Sequence, residues 1–170
     1  MKLRYLAIAS IVVAFGCTAP DPNATTELPP PRDVTSFRAL DGALGPSCGS
    51  LDCHGQPGRN LRIYDVTGLR LSKDDISGVG VTTDAEILAT YRSFVGLEPD
   101  LTSKVLTERG AQPERLTIVR KARASEVHEG AAVWPEGSDG DRCLTSWLAS
   151  KTDVAACEKA RALFLPPVKQ

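Results

Sequence analysis

The chain has 170 residues, 42% of them hydrophobic and 24% charged, and its 20 basic and 21 acidic side chains leave a net charge of −1. No basic excess points to nucleic acid, and the apolar content is that of a folding domain rather than a wholly solvated chain. Aromatic residues make up 5%, and no repeat of fixed period is visible, which sets aside solenoids and propellers.

The first sixteen residues read as an export signal. Lys2 and Arg4 supply a short positive start, and Leu6 to Phe15 (LAIASIVVAF) is an apolar run that ends in a small residue, Gly16. The run is about half of the ~20 residues that span a bilayer, so it makes a poor transmembrane helix. Ala14-Phe15-Gly16-Cys17 resembles the lipobox of bacterial lipoproteins. That resemblance implies cleavage before Cys17 and a diacylglycerol on its thiol. The bland alternative is an ordinary secretory signal followed by an incidental cysteine. The expected organisation is therefore a signal peptide over 1–16, a lipid-anchored tether over 17–32 and one domain over 33–170. The stretch from Thr18 to Arg32 holds five prolines and almost no large apolar side chain, a composition that stays disordered. Loss of Lys2 and Arg4 with the signal takes the net charge from −1 to −3. The expected location is the cell envelope, with the protein held to a membrane by its lipid and the domain in the periplasm or at the cell surface.

Within the domain the first element is a helix from about Val34 to Leu44, carried by Phe37, Leu40 and Leu44 and ending near Gly45-Pro46. Leu61 and Ile63, then Leu69 and Leu71, alternate with polar residues and predict two short extended segments, or a β-hairpin, around Asp65 to Gly68. Thr83-Asp84-Ala85-Glu86 has the pattern of a capping box. The stripe Ile87, Leu88, Tyr91, Phe94, Val95 then runs to Gly96. Pro113 suits the first position of a helix, with Leu116, Val119 and Lys121 in a helix that ends before His128. Ser138 and Asp141 suit the start of another, whose stripe is Leu144, Trp147 and Leu148. Lys151 to Asp153 reads as a break with Asp153 as the next cap, followed by a stripe of Cys157, Ala160, Leu163 and Phe164. The fold class is mostly α, a small helical domain with short extended segments. Asp74-Asp75 and Asp139-Gly140-Asp141 do not follow a calcium-loop pattern and read as caps and solvated turns.

With Cys17 taken by lipid, four cysteines remain, an even set for an oxidising compartment. Cys143 and Cys157 flank two short helices that can bring their sulfurs together, so a structural disulfide is expected there. Cys48 and Cys53 sit in Cys48-Gly49-Ser50-Leu51-Asp52-Cys53-His54-Gly55. A cysteine pair followed at once by histidine is the arrangement that attaches a c-type haem. Two thiols add to the two vinyl groups, and the adjacent imidazole is held under the iron. The gap here is four residues where the commoner site has two. The same gap permits a local Cys48–Cys53 disulfide, which would abolish attachment. The chain has two histidines, His54 and His128, and its one methionine, Met1, leaves with the signal. If His54 holds an iron, a methionine cannot be its sixth ligand, and His128 is the good candidate, the remaining option being five-coordinate iron or a weak ligand.

The sequence Cys48…Cys53-His54-Gly55, the apolar stretches at 60–64 and 68–71, the segments Ser103-Lys104-Val105-Leu106 and Leu116 to Lys121, the loop His128-Glu129-Gly130-Ala131, and the Trp-containing helix Cys143 to Leu148 come in a particular order. That order resembles a family of secreted bacterial domains related to cytochrome c, with Ala131 where the family has a second glycine. The resemblance implies a cytochrome c-like domain with haem c on Cys48 and Cys53, His54 as the proximal ligand and His128 as the distal one.

The expected function is that of a membrane-anchored haem-binding lipoprotein that transfers electrons to a redox partner protein, without enzymatic activity or nucleic-acid binding. Two imidazoles would hold the potential below that of a His/Met site. The alternative is a haem-free, disulfide-stabilised envelope lipoprotein with a structural or interaction role. A zinc site from Cys48, Cys53, His54 and His128 is a third reading, disfavoured by the adjacency of Cys53 and His54 and by the oxidising compartment. The H-E-x-x-H hydrolase signature is absent.

Overall fold

A computed structural model describes residues 34–165. The expected signal, Cys17 and the tether lie outside the described residues. Among the described residues the protein is built from six α-helices and one short 3₁₀ turn: α1 (Val34–Cys48), α2 (Asp84–Val95), α3 (Pro99–Thr107), the 3₁₀ turn Pro113–Arg115, α4 (Thr117–Ala122), α5 (Asp139–Leu148) and α6 (Val154–Ala162). The expected mostly helical class is what the structure has. None of these helices is long and apolar enough to cross a membrane.

α1 is central to the packing and lies against α2, α5 and α6, while α5 packs on α6. Its stripe of Phe37, Leu40 and Leu44 is fully buried. Phe37 meets Tyr91, Phe94 and Trp147 edge to face, with ring centroids 5.2, 5.9 and 5.4 Å away, an arrangement that suits the ring quadrupoles. α1 runs past Gly45-Pro46 to Cys48, one turn beyond the expected end. A proline in the last turn forfeits only one helical bond, and Gly49 N–H closes the end by donating to Gly45 O at 2.8 Å.

The caps read from sequence are formed. Thr83 and Glu86 make both halves of the capping box on α2, and Ser138 and Asp153 accept from Asp141 N and Ala156 N at the starts of α5 and α6. The Cys143–Cys157 disulfide joins α5 to α6. Two expectations are corrected. No strand occurs among the described residues; only an isolated bridge pairs Tyr64 with Leu69. The amides of the extended segment are satisfied by hydroxyls instead. Arg62 N–H donates to Ser93 Oγ at 2.7 Å, Tyr64 N–H to Thr90 Oγ1 at 3.0 Å and Val66 N–H to Thr82 Oγ1 at 3.1 Å. The face of α2 takes the place of a neighbouring strand. The stripe on α6 also stops early. Cys157 and Ala160 are buried, but the helix ends at Ala162 and Leu163 is 74% exposed.

Candidate functional site: a cavity between two histidines

The segment that follows α1 coils tightly. His54 N–H donates to Cys48 O at 3.0 Å, Gly55 N–H to Ser50 O at 2.9 Å and Ile63 N–H to His54 O at 2.9 Å. Gly55 is required in this coil, because a Cβ there would collide with the carbonyl of Gly49. The coil is pinned to the core at its far end by Leu61 and Ile63, both buried. His54 is therefore held from both sides of the chain. Its ring Nδ1–H donates to Leu61 O at 3.1 Å, which leaves Nε2 as the free lone pair. Burial lowers its pKa, a shift partly offset by the Leu61 bond, and the nearby His128 lowers it further. The neutral imidazole is the form that ligates a metal.

His128 reaches the same place from the other side of the chain. Residues 123–133 leave α4 and return to a buried Trp134, whose N–H donates to Ala122 O at 2.9 Å. His128 Nδ1 is 3.3 Å from Ala131 O. Both rings thus turn Nδ1 to a backbone carbonyl and keep Nε2 free, as ligating histidines do. The two ring centroids are 6.0 Å apart and the ring planes lie within 21° of parallel.

Around them lies a cavity of about 430 Å³, of the size that takes a small-molecule cofactor. Leu44, Leu61, Leu97, Ile118, Val133 and Trp134 give it apolar walls. Cys48 and Cys53 line it beside His54. Their sulfurs are not bonded to each other. Burial pushes the Cys48 thiol up to about 12, helped by the neighbouring Cys53, so that sulfur stays a protonated thiol rather than a metal-binding thiolate. Among the described residues no three His, Cys, Asp or Glu side chains converge to hold a metal ion. The zinc set considered from sequence is not assembled.

The four residues singled out from sequence, Cys48, Cys53, His54 and His128, are therefore brought to one cavity. Sequence reasoning missed its walls. Leu97 and Ile118 come from the segments flanking α3 and from α4, and no local periodicity marks them as facing a ligand. Trp134 is 2% exposed, and its ring Nε1 has no hydrogen-bond partner among the described residues. Its ring lies over Gly140, where any Cβ would strike the indole. Asp139 and Asp141 serve the protein itself. Both lie in the first turn of α5, and Asp141 takes a two-bonded ion pair from Arg123 at 2.7 and 3.2 Å. Comparisons of the chain with protein-family models, curated proteins and solved structures return no match.

Proposed function

We propose that this chain is a c-type haem-binding domain of an envelope lipoprotein, with haem attached through Cys48 and Cys53 and ligated by His54 and His128, and that it carries electrons. The observation that carries the reading is the histidine pair. Two imidazoles far apart in sequence lie 6.0 Å apart, centroid to centroid, in one apolar-walled cavity, each with Nδ1 turned to a carbonyl. The two unbonded cysteines on the His54 side of that cavity add the covalent chemistry. A bound haem would supply the one-electron ferric/ferrous couple.

The chain's own contribution is positioning and solvent exclusion. The Leu61 carbonyl fixes the tautomer of His54 and makes it a better donor to metal. The Leu44, Leu61, Leu97, Ile118 and Val133 side chains exclude water, so that charge changes at the centre are felt strongly. Asp52, Arg59, Lys121 and Glu129 line the cavity with polar groups that can meet ionised substituents of a ligand. The cytochrome c-like likeness, the electron-transfer role, the redox partner and the lipid on Cys17 belong to this proposal.

The test is expression with the native leader in a bacterium that matures c-type cytochromes, followed by a visible spectrum and a haem stain on a denaturing gel. The expected result is a stained band that persists in denaturant and a low-spin spectrum. Replacing both Cys48 and Cys53 by Ala should abolish the stained band while the Cys143–Cys157 disulfide still forms. A colourless wild-type protein in which Cys48 and Cys53 are joined by mass spectrometry sinks the reading in favour of a haem-free lipoprotein.

A further inference from the structure

The two candidate ligands are held very differently. His54 sits in a coil closed by backbone bonds on both sides and anchored by buried Leu61 and Ile63. His128 sits at the tip of an Ω-shaped loop with a fixed base. At that base Trp134 N–H bonds Ala122 O, the Trp134 ring is buried, and Arg123 is paired with Asp141. Val133, next to the base, packs against the core, but between Ala124 and Ala132 nothing apolar enters it. Val127 is 92% exposed, and Ala124, Ser125, Glu129, Gly130, Ala131 and Ala132 are all exposed. The tip is tied down by ion pairs of Glu126 with Arg120 and Lys121 (2.9 and 3.2 Å), by Lys121 Nζ donating to Val127 O at 2.9 Å, and by short backbone turns. Surface ties of this kind contribute little.

The same loop carries backbone strain at both ends. Ala124 has φ 57° and Ala131 has φ 53°, the left-handed region that costs an alanine more than a glycine. Ala131 is also the residue whose carbonyl receives His128 Nδ1. Straightening Ala131 therefore releases strain and loosens His128 in one movement. A segment with few buried contacts and exposed hydrogen bonds is where local opening costs least.

We infer that His128 is a displaceable ligand: segment 124–131 opens on its fixed base and, with haem bound as proposed, would yield the place of His128 to a small neutral diatomic molecule of the carbon monoxide class. This rests on the haem reading above. The step exchanges one dative bond for another, from His128 Nε2 to the incoming ligand. No electron or proton moves. The apolar walls favour an uncharged ligand over an anion. The activity so described is ligand sensing or capture, beyond electron transfer alone.

The experiment uses the haem-loaded full chain, reduced with dithionite and mixed with carbon monoxide. The wild type should begin low-spin, then shift its Soret band. The rate should level off at high carbon monoxide, because opening of the loop limits it. Ala131→Gly relaxes the strained residue, favours the closed loop and should slow the reaction about fivefold. His128→Ala should bind without the plateau. Should that variant fail to load haem, the plateau and the Ala131→Gly effect still decide the matter. A low-spin reduced protein that ignores saturating carbon monoxide overturns this inference alone. So does a rate that rises linearly throughout and is untouched by Ala131→Gly. A colourless wild type overturns both this inference and the reading beneath it.

Discussion

Asp41 is a carboxyl buried in α1 (3% exposed), with its Oδ1 lacking a hydrogen-bond partner among the described residues. Burial, then the charge of Asp65, raises its pKa from 3.8 to about 7, against a bond to Thr90 and the pull of Arg38, with Glu86 adding to the rise. Glu86 is also fully buried and behaves oppositely. Burial would raise its pKa, but bonds from Arg70, Thr83 and Leu71 outweigh this and bring it to about 2. The signs follow from linkage. For Asp41 the folded state holds a proton that the unfolded chain releases near pH 4, so its contribution to stability is lost as pH rises from about 4 to about 7. For Glu86 stability is gained as pH rises from about 2 toward the ordinary carboxylate range. Together they predict greatest stability of the apo domain on the acid side of neutrality. Asp41→Asn should flatten the decline between about pH 4 and about pH 7 and stabilise the protein at the upper end by on the order of 2–4 kcal/mol. Thermal unfolding of both proteins across that range is the check, and an unchanged slope in the variant refutes the assignment.

At the scale of elements, Glu86 and the disulfide join neighbouring pieces. Glu86 caps α2 and accepts from Arg70 Nε at 2.8 Å, from Leu71 N and from Thr83 N. Arg70 in turn donates to the carbonyls of Ile76, Val79 and Val81, and so gathers the loop between the extended segment and α2. Glu86→Ala should remove the cap and strand a guanidinium that is 6% exposed, at a cost of about 3–5 kcal/mol. A fall in the urea midpoint, with faster proteolysis at residues 71–83, is the expected result. Retention of wild-type stability would show that the pair is dispensable. Replacing Cys143 and Cys157 by Ser removes a link of sequence separation 14, and should cost about 3 kcal/mol. The wild type should fall to the same stability in reductant, and the double variant should not respond to reductant at all.

At the scale of the whole molecule, what the sequence disclosed was local. The capping box at Thr83, the caps at Ser138 and Asp153, and the stripes of α1, α2 and α5 need only residues within a turn or two of each other. Helix α3 escaped such a reading, although Pro99 stands at its start and Val105 and Leu106 are buried, because the third member of its buried face is a polar residue, Thr102. The alternation of Leu61 and Ile63 was correct as to burial. It misled as to pairing, since the partner hydroxyls of Ser93, Thr90 and Thr82 belong to α2 and its approach rather than to a strand. The candidate site divides the same way. Cys48, Cys53 and His54 stand out by adjacency, and His128 by scarcity. Leu97, Ile118 and Trp134 become walls only when the chain is folded, because their meeting depends on how α4 and the flanks of α3 settle over the end of α1.

The disulfide has a consequence for assembly. The stretch that would be closed by the haem, from Cys48 to His128, ends before the stretch closed by Cys143 and Cys157 begins. The two closures lie side by side along the chain, neither nested nor crossing. Neither ring has to be threaded by a part of the chain already locked by the other. Were the N-terminal pair to take haem as proposed, its loading and the oxidation of the C-terminal pair could proceed in either order without either product trapping the chain.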